Sequence, residues 1–220
     1  MNATTKLLAN GSIFLVTFFS LILVGHTQTT VDSTQINKEY SSLEEALKSP
    51  DEVYRLDLSN QDIVVPDTVW SQFVNLQYLS LKNDHLSEIP SAVGTLKNLK
   101  VLDLSGNDFE VIPSSFTNLT NLEELFLNDE VNLDLENTIP ILSKMPKLRS
   151  LHIENDNLNT LPKNIYKLSH LESLYLNNNR FRQVPLELKL IKNLQFVDLH
   201  DNRFELPLQE FNNFGVRMRF

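Results

Sequence analysis

The 220-residue chain contains no cysteine, which removes disulfides, thiolate metal sites and cysteine nucleophiles together. Packing must hold the molecule without covalent help. Glycine is scarce, at five residues, leaving little material for a phosphate-cradling loop or a nucleophile elbow. Neither motif occurs, and H-E-x-x-H is absent as well. Basic residues are outnumbered, 19 against 28 acidic ones, giving a formal charge of −9. That sign disfavours duplex DNA and anionic membrane surfaces as general partners. Composition therefore implies no cofactor, no metal, no nucleic acid and no catalytic constellation.

Long apolar runs are also missing, with one exception near the start. Lys6 is the only formal charge before Asp32, and an apolar stretch runs from Ile13 to Val24 before Gly25, His26, Thr27 and Gln28. A weakly positive start, a short apolar segment and a polar exit read as a secretory signal peptide over 1–28, cleaved between Thr27 and Thr30. The other reading is an uncleaved anchor, since an extension back to Leu7 brings the run near the lower limit for a spanning helix. Export is the expectation in either case, to the periplasm, the cell surface or the medium. No integral membrane role is expected unless the leader is uncleaved. Asn118-Leu119-Thr120 is an N-glycosylation triplet beyond the leader, relevant only in a glycosylating host.

What the chain has in abundance is repetition. Leu76-Gln-Tyr-Leu79-Ser-Leu81 aligns with Leu99-Lys-Val-Leu102-Asp-Leu104, and the phrase L-x-x-L-x-L restarts at Leu122, Leu148, Leu171 and Leu194. Val53 begins a weaker first copy, and successive starts lie 23, 23, 23, 26, 23 and 23 residues apart. A second phrase follows in four copies, at Ile89-Pro90, Ile112-Pro113, Leu161-Pro162 and Val184-Pro185. Apolar residues recur three and six places after each of those prolines.

Alternation in the first phrase predicts a short strand with every second side chain directed inward. Proline blocks further ladder bonding and turns the chain away, and three-residue spacing then suits a 3₁₀ turn. One coil cannot bury its own leucines, so the coils must stack and share a core.

The pattern resembles the leucine-rich-repeat family in its 23-residue, Leu-Pro form, over about Val53 to Pro207. The lead-in Ser42-Leu43-Glu44-Glu45-Ala46-Leu47 and Val53-Tyr-Arg-Leu-Asp-Leu-Ser together look like small exported repeat proteins of Bacteroidetes-type bacteria. The resemblance implies an α/β solenoid, a curved right-handed coil with a parallel sheet on the concave face and 3₁₀ or short helical turns on the convex one. It also implies an asparagine ladder, here Gln61, Asp84, Asn107, Asp156, Asn179 and Asn202, with Glu130 standing where asparagine is expected. The expected layout is a linker at 29–40, an N-terminal cap helix at 41–52, seven repeats at 53–207 and a C-terminal cap at 208–220. Phe204, Leu206, Phe211 and Phe214 would close that cap.

Binding in this family implies the outward-facing strand residues. Phe126, His152 and Tyr175 fall in one row on successive strands, with Phe196 on a diagonal and Tyr78, Asp103, Asp198 and His200 on the same face. Glu154 and Asn177 flank the row. Aromatic residues there have no core to fill and are enriched at interface hot spots, although rings also pack well across strands for stability alone. His152 and Asp198 lie two strands apart, near 10 Å at about 4.8 Å per strand, too far to share one ion.

The expected function is non-catalytic recognition of a protein, peptide or glycan on the concave face. A passive envelope component and an intracellular scaffold of the Ras-associated repeat type are the alternatives. Three extra residues between Asn128 and Thr138 read either as a tolerated surface insertion or as a binding loop.

Overall fold

A computed structural model describes residues 33–62, 64–205 and 215–220. The expected leader lies outside them, as do Leu206, Phe211 and Phe214 of the expected closing cap.

Each alternating phrase forms a three-residue strand. These are β2 (Arg55–Asp57), β3 (Tyr78–Ser80), β4 (Val101–Asp103), β5 (Glu124–Phe126), β6 (Ser150–His152), β7 (Ser173–Tyr175) and β8 (Phe196–Asp198). A two-residue strand, β1 (Glu39–Tyr40), precedes them and β9 (Arg217–Arg219) follows. All nine pair in parallel and in chain order. The register keeps the repeat in phase, with Leu79 opposite Leu102 and Leu125 opposite Leu151.

The inward leucines make one continuous core. Leu56, Leu79, Leu102, Leu125, Leu151 and Leu174 are fully buried in successive coils. Each such burial is worth about 1.5–3 kcal/mol before entropy is subtracted.

Proline ends the inward-facing step in four of the coils. Pro90, Pro113, Pro162 and Pro185 each sit at the N-cap of a 3₁₀ turn, at Ser91–Thr95, Ser114–Asn118, Lys163–Lys167 and Leu186–Leu190. Val93, Phe116, Ile165 and Leu188 plug the core from that side. These turns stack so closely that a Cβ on Gly94 would lie 2.6 Å from the Ser115 carbonyl oxygen. Only glycine permits that approach.

The asparagine ladder satisfies both sides of the descending turn. Asn107 Nδ2 donates to the Leu81 and Leu104 carbonyls at 2.9 and 2.6 Å, while its Oδ1 accepts from the Asp84 and Leu86 amides at 3.1 and 3.0 Å. Asn179 repeats the arrangement with Ile153 and Leu176, and with the Asp156 and Leu158 amides. One residue before Asn107 in the repeat, Asn60, Asn83, Gly106, Asp129, Asn155, Asn178 and Asp201 all adopt left-handed φ. That requirement explains why Asn, Asp and Gly fill this position.

The ends differ from expectation in detail. The described part of the linker carries structure: a helical turn α1 (Ser33–Asn37) and strand β1, whose Tyr40 pairs with Leu56. In the N-terminal cap, α2 (Leu43–Ala46) starts as its spacing predicts, with Ser42 Oγ accepting from the Glu45 amide. At the far end β9 extends the sheet, because Arg217-Met218-Arg219 again directs one apolar residue inward between two polar ones. Phe204 packs against the core and meets Phe220 edge-on at 5.6 Å.

The fourth copy absorbs its extra residues on the convex side. The first coil carries a short α-helical turn, α3 (Asp67–Trp70), and α4 (Leu135–Leu142) stands where four other coils carry a 3₁₀ turn. Asp134 caps it by accepting from the Asn137 amide, and Leu135, Thr138, Ile139 and Leu142 are buried. Pro140 within it cannot donate to the Glu136 carbonyl. Asn164 Nδ2 of the next coil supplies the missing bond at 2.8 Å.

Candidate functional site

Side chains at the first and last positions of each three-residue strand point away from the core, onto the open face of the sheet. Register therefore fixes two rows. One runs Asp57, Ser80, Asp103, Phe126, His152, Tyr175, Asp198, Arg219; the other runs Glu39, Arg55, Tyr78, Val101, Glu124, Ser150, Ser173, Phe196, Arg217.

Phe126, His152 and Tyr175 form a stack. Phe126 and His152 centroids are 4.0 Å apart at 21°, and His152 and Tyr175 are 4.0 Å apart at 4°. Phe196 closes the group edge-on against Tyr175, 5.6 Å away at 65°. His152 is 8% exposed. Its Nε2 lies 3.0 Å from Glu124 Oε1 and its Nδ1 3.6 Å from Glu154 Oε1. Nε2 is thus within hydrogen-bond distance of a carboxylate, and Nδ1 faces a second one beyond that distance.

The remaining expected residues separate into two other places. Tyr78 lies two strands before the stack under the Arg55 guanidinium, 4.1 Å from its ring centroid, and Arg55 is held by Glu39 at 2.8 Å. Its phenol is raised above the ordinary range, chiefly by burial and then by the carboxylates of Asp57, Asp103 and Glu39. Asp198 is 4% exposed and occupied, with His200 Nδ1 at 2.6 Å and Arg219 Nη1 at 3.3 Å. His200 also approaches Asp201 at 3.4 Å. Asp103 stands beside the stack, where its Oδ1 accepts from the Ser105 amide at 2.9 Å.

Three features escaped the sequence reading. Glu124, from the row that holds Tyr78 and Phe196, closes over His152. Arg217 and Arg219 reach the face from β9, and Arg217 sits 4.9 Å over the Phe196 ring. Their signal was the alternation Arg-Met-Arg, hidden by a spacing of 21 residues from Phe196 to Arg217 instead of 23. A second asparagine series runs along the approach to the strands. Asn75, Asn98, Asn121 and Asn193 each donate to a carbonyl of the preceding coil, those of Asp51, Val74, Lys97 and Ser169. These residues serve the scaffold.

Among the described residues no three histidine, aspartate or glutamate side chains converge as they would around a metal ion. No helix there is long and apolar enough to cross a membrane.

Comparison with known proteins agrees with this architecture. A leucine-rich-repeat region family matches residues 56–143, and a second leucine-rich-repeat family matches residues 170–190. No curated protein matches the sequence. Among solved structures the chain is similar to the Toll–Spatzle complex of Drosophila, at 21% identity and a TM-score of 0.68 over 81% of this chain and 24% of that one. It is similar to the TLR13–ssRNA13 complex at 24% identity and 0.63, covering 81% and 26%. Internalin C2 of Listeria monocytogenes gives 22% and 0.53, covering 78% and 72%. The chain thus spans about a quarter of the first two and most of the third. The repeated phrase, the parallel sheet it builds and both family matches make this chain a leucine-rich-repeat protein.

Proposed function

We propose that the chain is an exported, non-catalytic binding module that holds a protein or peptide on its concave sheet face. The observation that carries this reading is the ring stack of Phe126, His152 and Tyr175 with Phe196 at its edge. Four rings on the solvent side of a sheet contribute nothing to the leucine core, and such residues supply most of the energy at interface hot spots.

Solved relatives support a binding role in outline: Toll is seen with Spatzle, and TLR13 with a single-stranded RNA. Between those two ligand classes, the charge of −9 and the carboxylates around the stack favour a protein or peptide over a polyanion. A glycan would also suit aromatic rings. The apolar leader supports export.

Affinity capture from native extract and culture medium tests the proposal, using native protein beside a Phe126→Ser, Tyr175→Ser double variant. A partner held by the first and lost by the folded second is the expected result. Equal capture by both moves the site off the stack, and capture of nothing by either favours a passive structural role.

A further inference from the structure

The stack has one open end. Phe126 uses one ring face against His152, and its other face is turned toward β4, where the row carries Asp103 instead of a ring. Among the described residues no ring and no cation covers that face. Strands in the row are about 4.8 Å apart, so a planar group stacked on Phe126 would lie directly above the Asp103 carboxylate. Glu124, two residues back on the same strand as Phe126, turns the other way, its Oε1 3.0 Å from His152 Nε2 on β6. The floor is low, since Val101 is small and the next residue in the row, Ser80, is small and buried.

Charge around this opening is unbalanced. Among the described residues, Asp103, Glu124 and Glu154 have no lysine or arginine partner; Asp103 accepts from a backbone amide, and the two glutamates share His152. Elsewhere on the same face the chain fills such places itself. Arg55 lies 4.1 Å over Tyr78 and pairs with Glu39, and Arg217 lies 4.9 Å over Phe196. Ring, carboxylate and guanidinium occur together at Tyr78. At Phe126 the ring and the Asp103 carboxylate are present and the guanidinium is not.

We infer that an arginine side chain of a partner's extended peptide segment stacks on the open face of Phe126 and ion-pairs with Asp103. Arginine fits better than lysine because its planar fork stacks on a ring while its edge reaches a carboxylate, whereas an ammonium is a strongly hydrated point charge. The inference rests on the sheet face being the binding surface, and it adds the chemistry that surface selects.

The test titrates the full chain with triarginine amide and follows the Phe126 ring and Asp103 carboxyl signals by nuclear magnetic resonance. Tricitrulline amide is the neutral isostere, and trilysine amide is the non-planar cation. Asp103→Asn keeps an acceptor for the Ser105 amide, so it removes charge without removing the turn; Phe126→Leu removes the face.

A saturable shift centred on Phe126 is expected, absent with tricitrulline and weaker with trilysine. Each substitution should weaken it about fivefold, as expected for one exposed ring–cation or ion-pair contact. Shifts spread evenly over the acidic surface, or triarginine binding untouched by both substitutions, would overturn the inference. So would trilysine binding as tightly as triarginine. If triarginine fails while capture of the natural partner still depends on Phe126 and Tyr175, the arginine assignment falls and the binding face stands. If both fail, both readings fall.

Discussion

Glu130 occupies a position where the ladder elsewhere places an amide, and the consequence is electrostatic. Its Oε1 accepts from the Asn107 amide at 2.6 Å, but Oε2 is buried without a partner. Asp156, one coil on, accepts from the Glu130 amide at 2.7 Å and likewise leaves Oδ2 unpaired. In the regular coils an asparagine donates to the carbonyl six places into its own phrase and to that of the coil before. The register gives the Leu127 carbonyl two such donors, and both are replaced by carboxyls. Burial pushes Glu130 up to about 8 and Asp156 up to about 7.

The direction of the pH effect follows from those values. Below about pH 3 both carboxyls are protonated in the folded and the unfolded chain, and neither opposes folding. As pH rises toward 8 the unfolded chain gives up protons that the folded chain retains, so stability falls across that window and levels above it. Glu130→Gln restores a donor and removes the charge. It should raise stability at pH 8 by about 1–3 kcal/mol and leave it nearly unchanged at pH 4, measured by urea unfolding at both. An equal effect at the two pH values would show that the carboxyl is not the cause.

At the scale of the element, sequence and structure part company where spacing breaks. Every 23-residue copy could be read from its leucines and its proline, because inward positions tolerate only apolar side chains and the proline step admits no further ladder bond. The 26-residue copy could be located but not shaped. Its α4 depends on Asp134 as cap and on Asn164, a residue of the following coil, and no local pattern connects Asn164 with Pro140. The aromatic row was equally legible, since register alone aligns Phe126, His152 and Tyr175. Their stacking angles, the closure of Glu124 and the arrival of β9 depend on side-chain packing and an irregular spacing. The helix yields its own expectation. Asn164→Ala leaves the Glu136 carbonyl without its donor and should cost about 1 kcal/mol, whereas the exposed neighbour Lys163→Ala should cost little. Similar midpoints for both variants in thermal unfolding would refute the bridging role of Asn164.

For the molecule as a whole, stability should be graded along the stack, because each coil touches mainly the coils on either side of it. One backbone bond recurs in every coil and reports on this directly. The amides of Leu58, Leu81, Leu104, Leu127, Ile153, Leu176 and Leu199 donate to the carbonyls of Ser80, Asp103, Phe126, His152, Tyr175, Asp198 and Arg219, at 2.8 to 3.0 Å. Their burial and geometry are nearly identical, so local chemistry gives them no reason to exchange with solvent at different rates. Position in the stack does. Opening an end coil breaks one interface, and opening a central coil breaks two or requires everything outward of it to open first. Native-state hydrogen exchange should therefore be slowest at Leu104, Leu127 and Ile153 and fastest at Leu58 and Leu199, the ends opening on the order of 1–3 kcal/mol more readily. Uniform protection across the seven amides would mean that the stack opens all at once, with coupling between coils outweighing the stability of any one of them. A graded result would instead place the ring stack on the most rigid part of the sheet, where a binding face loses least entropy on meeting its partner.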